Sequence, residues 1–167
     1  MTTQRTKDSY QIQIYDFIKD IYVVCPNCSE KGIVKTDETL FRNIDENKIK
    51  LICSKCGYNK RLNEMSTGIG FNPKSENLIS RYFVIGDMND PYFHRPLWLK
   101  IKCGENTLWA YNYDHLDFLE KHVEAKLRER NIESIENKSL GSRLPKWITS
   151  KKNRELVLKT IKQLREK

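Results

Sequence analysis

Four of the chain's five cysteines fall into two matched pairs, Cys25-Pro-Asn-Cys28 and Cys53-Ser-Lys-Cys56, separated by 24 residues. Nothing else in the 167 residues limits the fold as strongly. Two residues between thiols let one tight turn aim both sulfurs at a single ion, and two such turns complete a tetrahedron. Pro26 presets the first turn, and Gly57 supplies the permissive backbone that follows the second. A β-prone run, Ile21–Val24 or Ile49–Ile52, precedes each pair. The separation is slightly longer than is common for paired knuckles. Its excess falls in the polar stretch Asp37–Lys48, read as a hairpin loop.

Two disulfides would need an oxidising compartment. Residues Met1–Asp8 are polar with no apolar h-region, and no apolar run approaches the roughly 18 residues of a membrane span. A soluble, cytoplasmic protein is therefore expected. A thioredoxin-like site would need one Cys-x-x-Cys in a βαβ setting, not two matched ones. The reading is one structural Zn²⁺ per chain on Cys25, Cys28, Cys53 and Cys56, with no open position for a catalytic water. Cys103 reads as a small buried hydrophobe. On these ligands, Gly57 and the flanking strands, the chain resembles the zinc-ribbon superfamily over about residues 21–62. Small bacterial proteins with a transcription factor IIB-type ribbon belong to it. The resemblance implies the ribbon and its metal. Members serve in transcription, replication, RNA modification and protein contacts, so it implies no single activity.

The remaining pattern predicts an α+β chain: an N-terminal zinc ribbon with four cysteine ligands, a β-hairpin plus helix core, and a basic C-terminal helix. Asp8 or Ser9 can cap a first helix with Ile14, Phe17, Ile18 and Ile21 on one face. Ribbon strands are expected near 21–25, 32–36, 49–53 and 58–62. Leu97–Cys103 and Thr107–Asn112 bracket a Gly104-Glu105-Asn106 turn. Asp114 then caps a helix striped by Leu116, Leu119, Val123 and Leu127. Pro145 interrupts a short helix or turn containing Leu144, Trp147 and Ile148, and an amphipathic helix over Lys151–Glu166 follows. This divides the chain into 1–62 (helix plus ribbon), 63–77 (loop or boundary), 78–130 (a small α+β unit) and 131–167 (a basic helical segment).

Charge supplies the functional lead. The chain's formal charge is +8, and residues 138–167 hold that whole excess, ten Lys and Arg against Glu155 and Glu166. A solvated Lys/Arg face is the ordinary state of a surface helix. Such a helix usually mixes its signs, however, and here the basic side chains outnumber the acidic five to one. Lys146, Lys151, Lys152, Arg154, Lys159 and Lys162 are the candidate nucleic-acid contacts; of these Lys152, Lys159 and Lys162 project opposite an anchoring stripe of Val157, Ile161 and Leu164, with Lys151 nearby. Membrane binding is disfavoured by the narrow apolar stripe. On the hairpin, Trp98, Lys100 and Lys102 are placed near Trp109, Tyr111 and Tyr113, where rings can stack on bases or pack as core. No catalytic residue is assigned. His115 and His122 are seven apart on a helix, too far to share an ion, and His122 reads as a surface or interface residue. His94 near Asp87 and Asp90 has no recommending spacing, and no phosphate loop or nucleophile motif occurs. The expected function is a zinc-ribbon protein that associates with DNA or RNA through its basic C-terminal helix. The alternatives are a protein–protein adaptor docking through the ribbon and aromatic hairpin, and a nuclease-like enzyme.

Overall fold

The computed structural model describes residues 5–6, 12–36, 44–66, 81–125, 127–128 and 139–167. Strands β1 (Arg5–Thr6), β2 (Asp20–Val24), β3 (Lys31–Lys35), β4 (Lys50–Ile52), β5 (Asn59–Arg61), β6 (Leu99–Cys103), β7 (Asn106–Ala110) and β8 (Leu127–Arg128) lie mostly ahead of the α-helices in an α+β arrangement. β2 to β5 form an antiparallel sheet in chain order, and β1 pairs in parallel with β8. In the sheet Ile21 lies opposite Val34, Val34 opposite Leu51, and Leu51 opposite Lys60. A strand's side chains alternate between faces. Ile21, Val23, Val34 and Leu51 are accordingly all buried on one side.

The helix expected over Ile14–Ile21 is replaced by one 3-10 turn, Ile14–Phe17, before β2 begins at Asp20. A helix would deliver the Phe17 carbonyl to the N–H of Ile21. Instead, the Asn112 side-chain amide donates to the carbonyls of Phe17 (2.8 Å) and Asp20 (3.0 Å), and Ile21 pairs with Val34. Asp8 and Ser9, the expected caps, lie outside the described residues.

The free edge of β2 joins the ribbon to the rest of the chain. Val24 N–H donates to the Pro96 carbonyl (2.9 Å), Trp98 N–H to the Tyr22 carbonyl (2.9 Å), and Tyr22 N–H to the Tyr111 carbonyl (2.7 Å). The hairpin β6–β7 turns at Gly104-Glu105 with Cys103 opposite Asn106, and Gly104 takes the left-handed φ of +61° that a two-residue hairpin turn asks for.

Helix α1 (Tyr113–Glu124) is capped by Asn112, not Asp114: the Asn112 Oδ1 accepts from the His115 N–H at 2.9 Å. Leu116, Leu119 and Val123 are buried as the stripe requires. Leu127 is not on that stripe; the helix ends at Glu124 and Leu127 belongs to β8. Helices α2 (Leu140–Arg143) and α3 (Lys146–Thr149) flank Pro145. A 3-10 turn, Lys151–Asn153, leads into α4 (Arg154–Arg165). Val157, Ile161 and Leu164 are fully buried in the packing of α4 against α1 and β6. Arg165 also bonds Asp117 and Glu120 of α1. The buried side chains of sheet, hairpin and helices form one hydrophobic cluster. Among the described residues no helix is long and apolar enough to cross a membrane.

Candidate functional site

The thiol pairs sit at the β2–β3 and β4–β5 turns, the same end of the sheet, and the two turns are built alike. Cys25 N–H donates to the Glu30 carbonyl (2.7 Å) and Ser29 N–H to the Cys25 carbonyl (3.0 Å). In the second, Cys53 N–H donates to the Tyr58 carbonyl (2.8 Å) and Gly57 N–H to the Cys53 carbonyl (3.0 Å). Ser29 and Gly57 hold the same step and are both left-handed, φ +62° and +74°. A Lys55–Glu30 ion pair ties one turn to the other at the surface.

The four sulfurs lie within 4.8 Å of one another. Cys25 Sγ is 3.7 Å from Cys56 Sγ, and Cys28 Sγ is 3.6 Å from Cys53 Sγ. A tetrahedron with metal–sulfur bonds of about 2.3 Å has edges of about 3.8 Å, so these separations fit four ligands around one ion. None of the cysteines is disulfide-bonded. The thiols also differ in acidity. The Asn27 side chain, then the Tyr58 N–H, lower the Cys56 thiol to about 6. At Cys28 the Glu30 backbone favours the thiolate, but burial and the sulfurs of Cys56, Cys53 and Cys25 push its thiol up to about 12. A cation of charge two lets both ionise together. Among the described residues no other group of His, Cys, Asp or Glu is placed to hold a metal ion. Cys103 is buried, and the Thr160 hydroxyl of α4 lies 3.4 Å from its sulfur.

Lys146, Lys151, Lys152, Lys159 and Lys162 are exposed and Arg154 is half-buried. No carboxylate among the described residues lies within salt-bridge range of any of the six. Helical spacing puts Glu155 beside Lys159 and Glu166 beside Lys162, so the outer face of α4 carries both signs. Glu155 is spaced as closely to Lys151 and Lys152 as to Lys159, while Lys146 has no carboxylate at helical spacing; Lys146, Lys151 and Lys152 group by their place at the α3–α4 junction. Two other basic residues are occupied internally. Arg165 holds α1, and Lys167 donates to the Trp98 carbonyl (2.8 Å) and lies 4.6 Å from that ring's centre.

The aromatic residues do not share one open face. Tyr111 is fully buried, and its hydroxyl accepts the Gly86 N–H at 2.7 Å. His115 is also buried, stacked on Phe17 with centroids 4.8 Å apart, and burial pushes its pKa down to about 3. Its Nδ1 accepts from the Tyr111 N–H (3.2 Å), which leaves the ring proton on Nε2. His122 is buried rather than at the surface, because its side of α1 faces the core. The Asp90 carboxylate is buried and accepts from the N–H groups of Tyr92 (3.0 Å), Phe93 (2.8 Å) and Arg95 (2.6 Å). Burial raises its pKa against the pull of those donors. Asp90 thus shapes its loop, and His94 stacks on Tyr82 at 4.9 Å.

Sequence reasoning missed a cavity of about 570 Å³ between the hairpin, α1, α2 and α3. Trp109, His115, Arg143 and Trp147 are among the residues lining it. They come from four separate elements, so no spacing rule could have gathered them. No protein-family model, curated protein or solved structure matches the chain.

Proposed function

We propose that this chain is a zinc-ribbon protein that binds nucleic acid through phosphate contacts at its basic C-terminal segment. The tetrahedral sulfur set supports zinc, which suits four thiolates and has no geometric demand of its own beyond four-coordination. The observation that carries the binding reading is the cluster of Lys146, Lys151 and Lys152, exposed with no carboxylate in range among the described residues. Each phosphate neutralised by such a cation releases counterions, so log affinity falls linearly with log salt. Charge reversal at all three leaves Val157, Ile161 and Leu164 in place. It should weaken binding and flatten the salt slope by about 0.7 per lost contact on a single strand, or about 0.9 on a duplex. Equal affinity and equal slope in both proteins would reduce the cluster to a solvated surface.

A second reading, the protein–protein adaptor, is favoured by one observation. Tyr82, Val84 and Met88 are exposed close together in sequence, Tyr82 by 69%. An adaptor would show negligible nucleic-acid affinity at physiological salt and keep its protein partner after nuclease treatment.

A further inference from the structure

The cavity bounded by β7, α1, α2 and α3 is distinct from the sulfur site, and its lining is mixed in a specific way. Trp109 and Trp147 supply two indoles. Asp87, Asn106 and His115 supply hydrogen-bonding groups, and Arg143 a guanidinium with no carboxylate in range among the described residues. At about 570 Å³ it falls within the about 300–1,000 Å³ of ordinary small-ligand sites. One cation and one anion on the wall make it a poor trap for a simple inorganic anion. The same set suits a planar ring with donors and acceptors on its edge and a phosphate attached. Bases out of the helix are recognised in that manner, stacked on aromatic rings or Arg planes and hydrogen-bonded along their edges.

Along the chain, two lining residues of the cavity adjoin the basic cluster. Arg143 ends α2, Trp147 follows Lys146 in α3, and the Asn153 side chain donates to the Trp147 carbonyl at 2.9 Å, fixing α3 against the turn that carries Lys151 and Lys152. We propose that the cavity is a nucleobase pocket, taking one base of a single strand against Trp109 and Trp147 while Arg143 holds the adjoining phosphate. His115 serves it as a neutral N–H donor. This rests on the nucleic-acid reading above and names the strand form and the place of contact.

The test uses the full zinc-loaded chain, a short deoxythymidine strand and an abasic strand of the same length. Base–aromatic stacking predicts that Trp147→Ala weakens binding of the thymidine strand about 5–150-fold, while Trp147→Phe largely restores it. Wild type should bind the abasic strand at least as weakly as Trp147→Ala binds the thymidine strand, because the missing base also gives up Trp109 and His115. Trp147→Ala should not weaken abasic binding further. Arg143→Gln should lower the salt slope by about 0.7. Circular dichroism and zinc content check that each variant is folded. If both strands bind wild type equally, or folded Trp147→Ala binds like wild type while reversal of Lys146, Lys151 and Lys152 weakens binding, the pocket is overturned and the phosphate reading stands. If wild type binds neither strand nor duplex but retains an acidic protein, both fall.

Discussion

Ser29 and Gly57 show what single residues do in this fold. They occupy equivalent steps of the two turns with φ of +62° and +74°, a region that costs a side-chain-bearing residue about 1–2 kcal/mol. A Cβ on Gly57 would meet nothing within 4 Å, so the cost of Gly57→Ala is backbone strain alone. It should destabilise the metal-loaded protein by about 1–2 kcal/mol in denaturant unfolding, and Ser29→Gly should stabilise it by a similar or smaller amount. Zinc content should not change in either. At His115 the folded pKa of about 3 lies below the unfolded value of about 6.5. The unfolded chain binds the extra proton between those values. The contribution is therefore complete above about pH 6.5 and lost as pH falls toward 3, at up to about 1.4 kcal/mol per pH unit. Where the four clustered thiols hold a metal ion, their protonation would add its own acid loss to any variant. The check is the difference between wild type and His115→Gln, whose stability curve between about pH 6 and 4 should be flatter by about one proton. Parallel curves would mean that His115 is already protonated or hydrated in the folded state.

Among the elements, those governed by local rules were legible and those decided at a distance were not. The four ribbon strands and the hairpin follow from thiol spacing, β-prone runs and a Gly turn, all read within a few residues. The first helix did not form, because Asn112, far along the chain, takes the carbonyl a helix would use. That same bond explains the displaced cap. Asn112 and Asp114 both satisfy the local capping rule, but only an amide can also donate to Phe17 and Asp20. Helix α1 separates two kinds of buried leucine. Leu116 is 0% exposed within the core, whereas Leu119 is 2% exposed and lines the cavity. Emptying a buried Leu site costs about 2–5 kcal/mol, more when the site cannot collapse or was fully packed. Leu116→Ala should fall in the upper half of that range by chemical denaturation and Leu119→Ala in the lower half. Reversed order would mean that the cavity closes in solution.

At the scale of the molecule the question is how much structure would depend on an ion held by the four cysteines. Isolated zinc fingers unfold entirely without it, since about 10–16 kcal/mol of binding free energy is their folding free energy. The four-stranded sheet that carries the cysteines is placed differently. Its β5 edge, Asn59–Arg61, is exposed throughout, and β4 and β5 have three residues each. β2 is bonded along its free edge to Pro96, Trp98 and Tyr111, and its Ile21 and Val23 belong to the common core. Without a bound ion the four thiols would be crowded at the turns, whereas the packing of α1 and α4 on the hairpin and the Arg165 pairs lies away from them. Stripping zinc with a strong chelator should therefore open the chain in two stages, seen by amide hydrogen exchange. Amides of both turns, β4 and β5 should lose protection with the metal, and those of α1, α4 and the hairpin should keep most of theirs. Cys25→Ser should reproduce the first stage. Cys103→Ser should hold its zinc, because that sulfur faces Thr160 rather than the site. Loss of helix protection in the same step as the turns would show instead that the metal supports the whole core through β2.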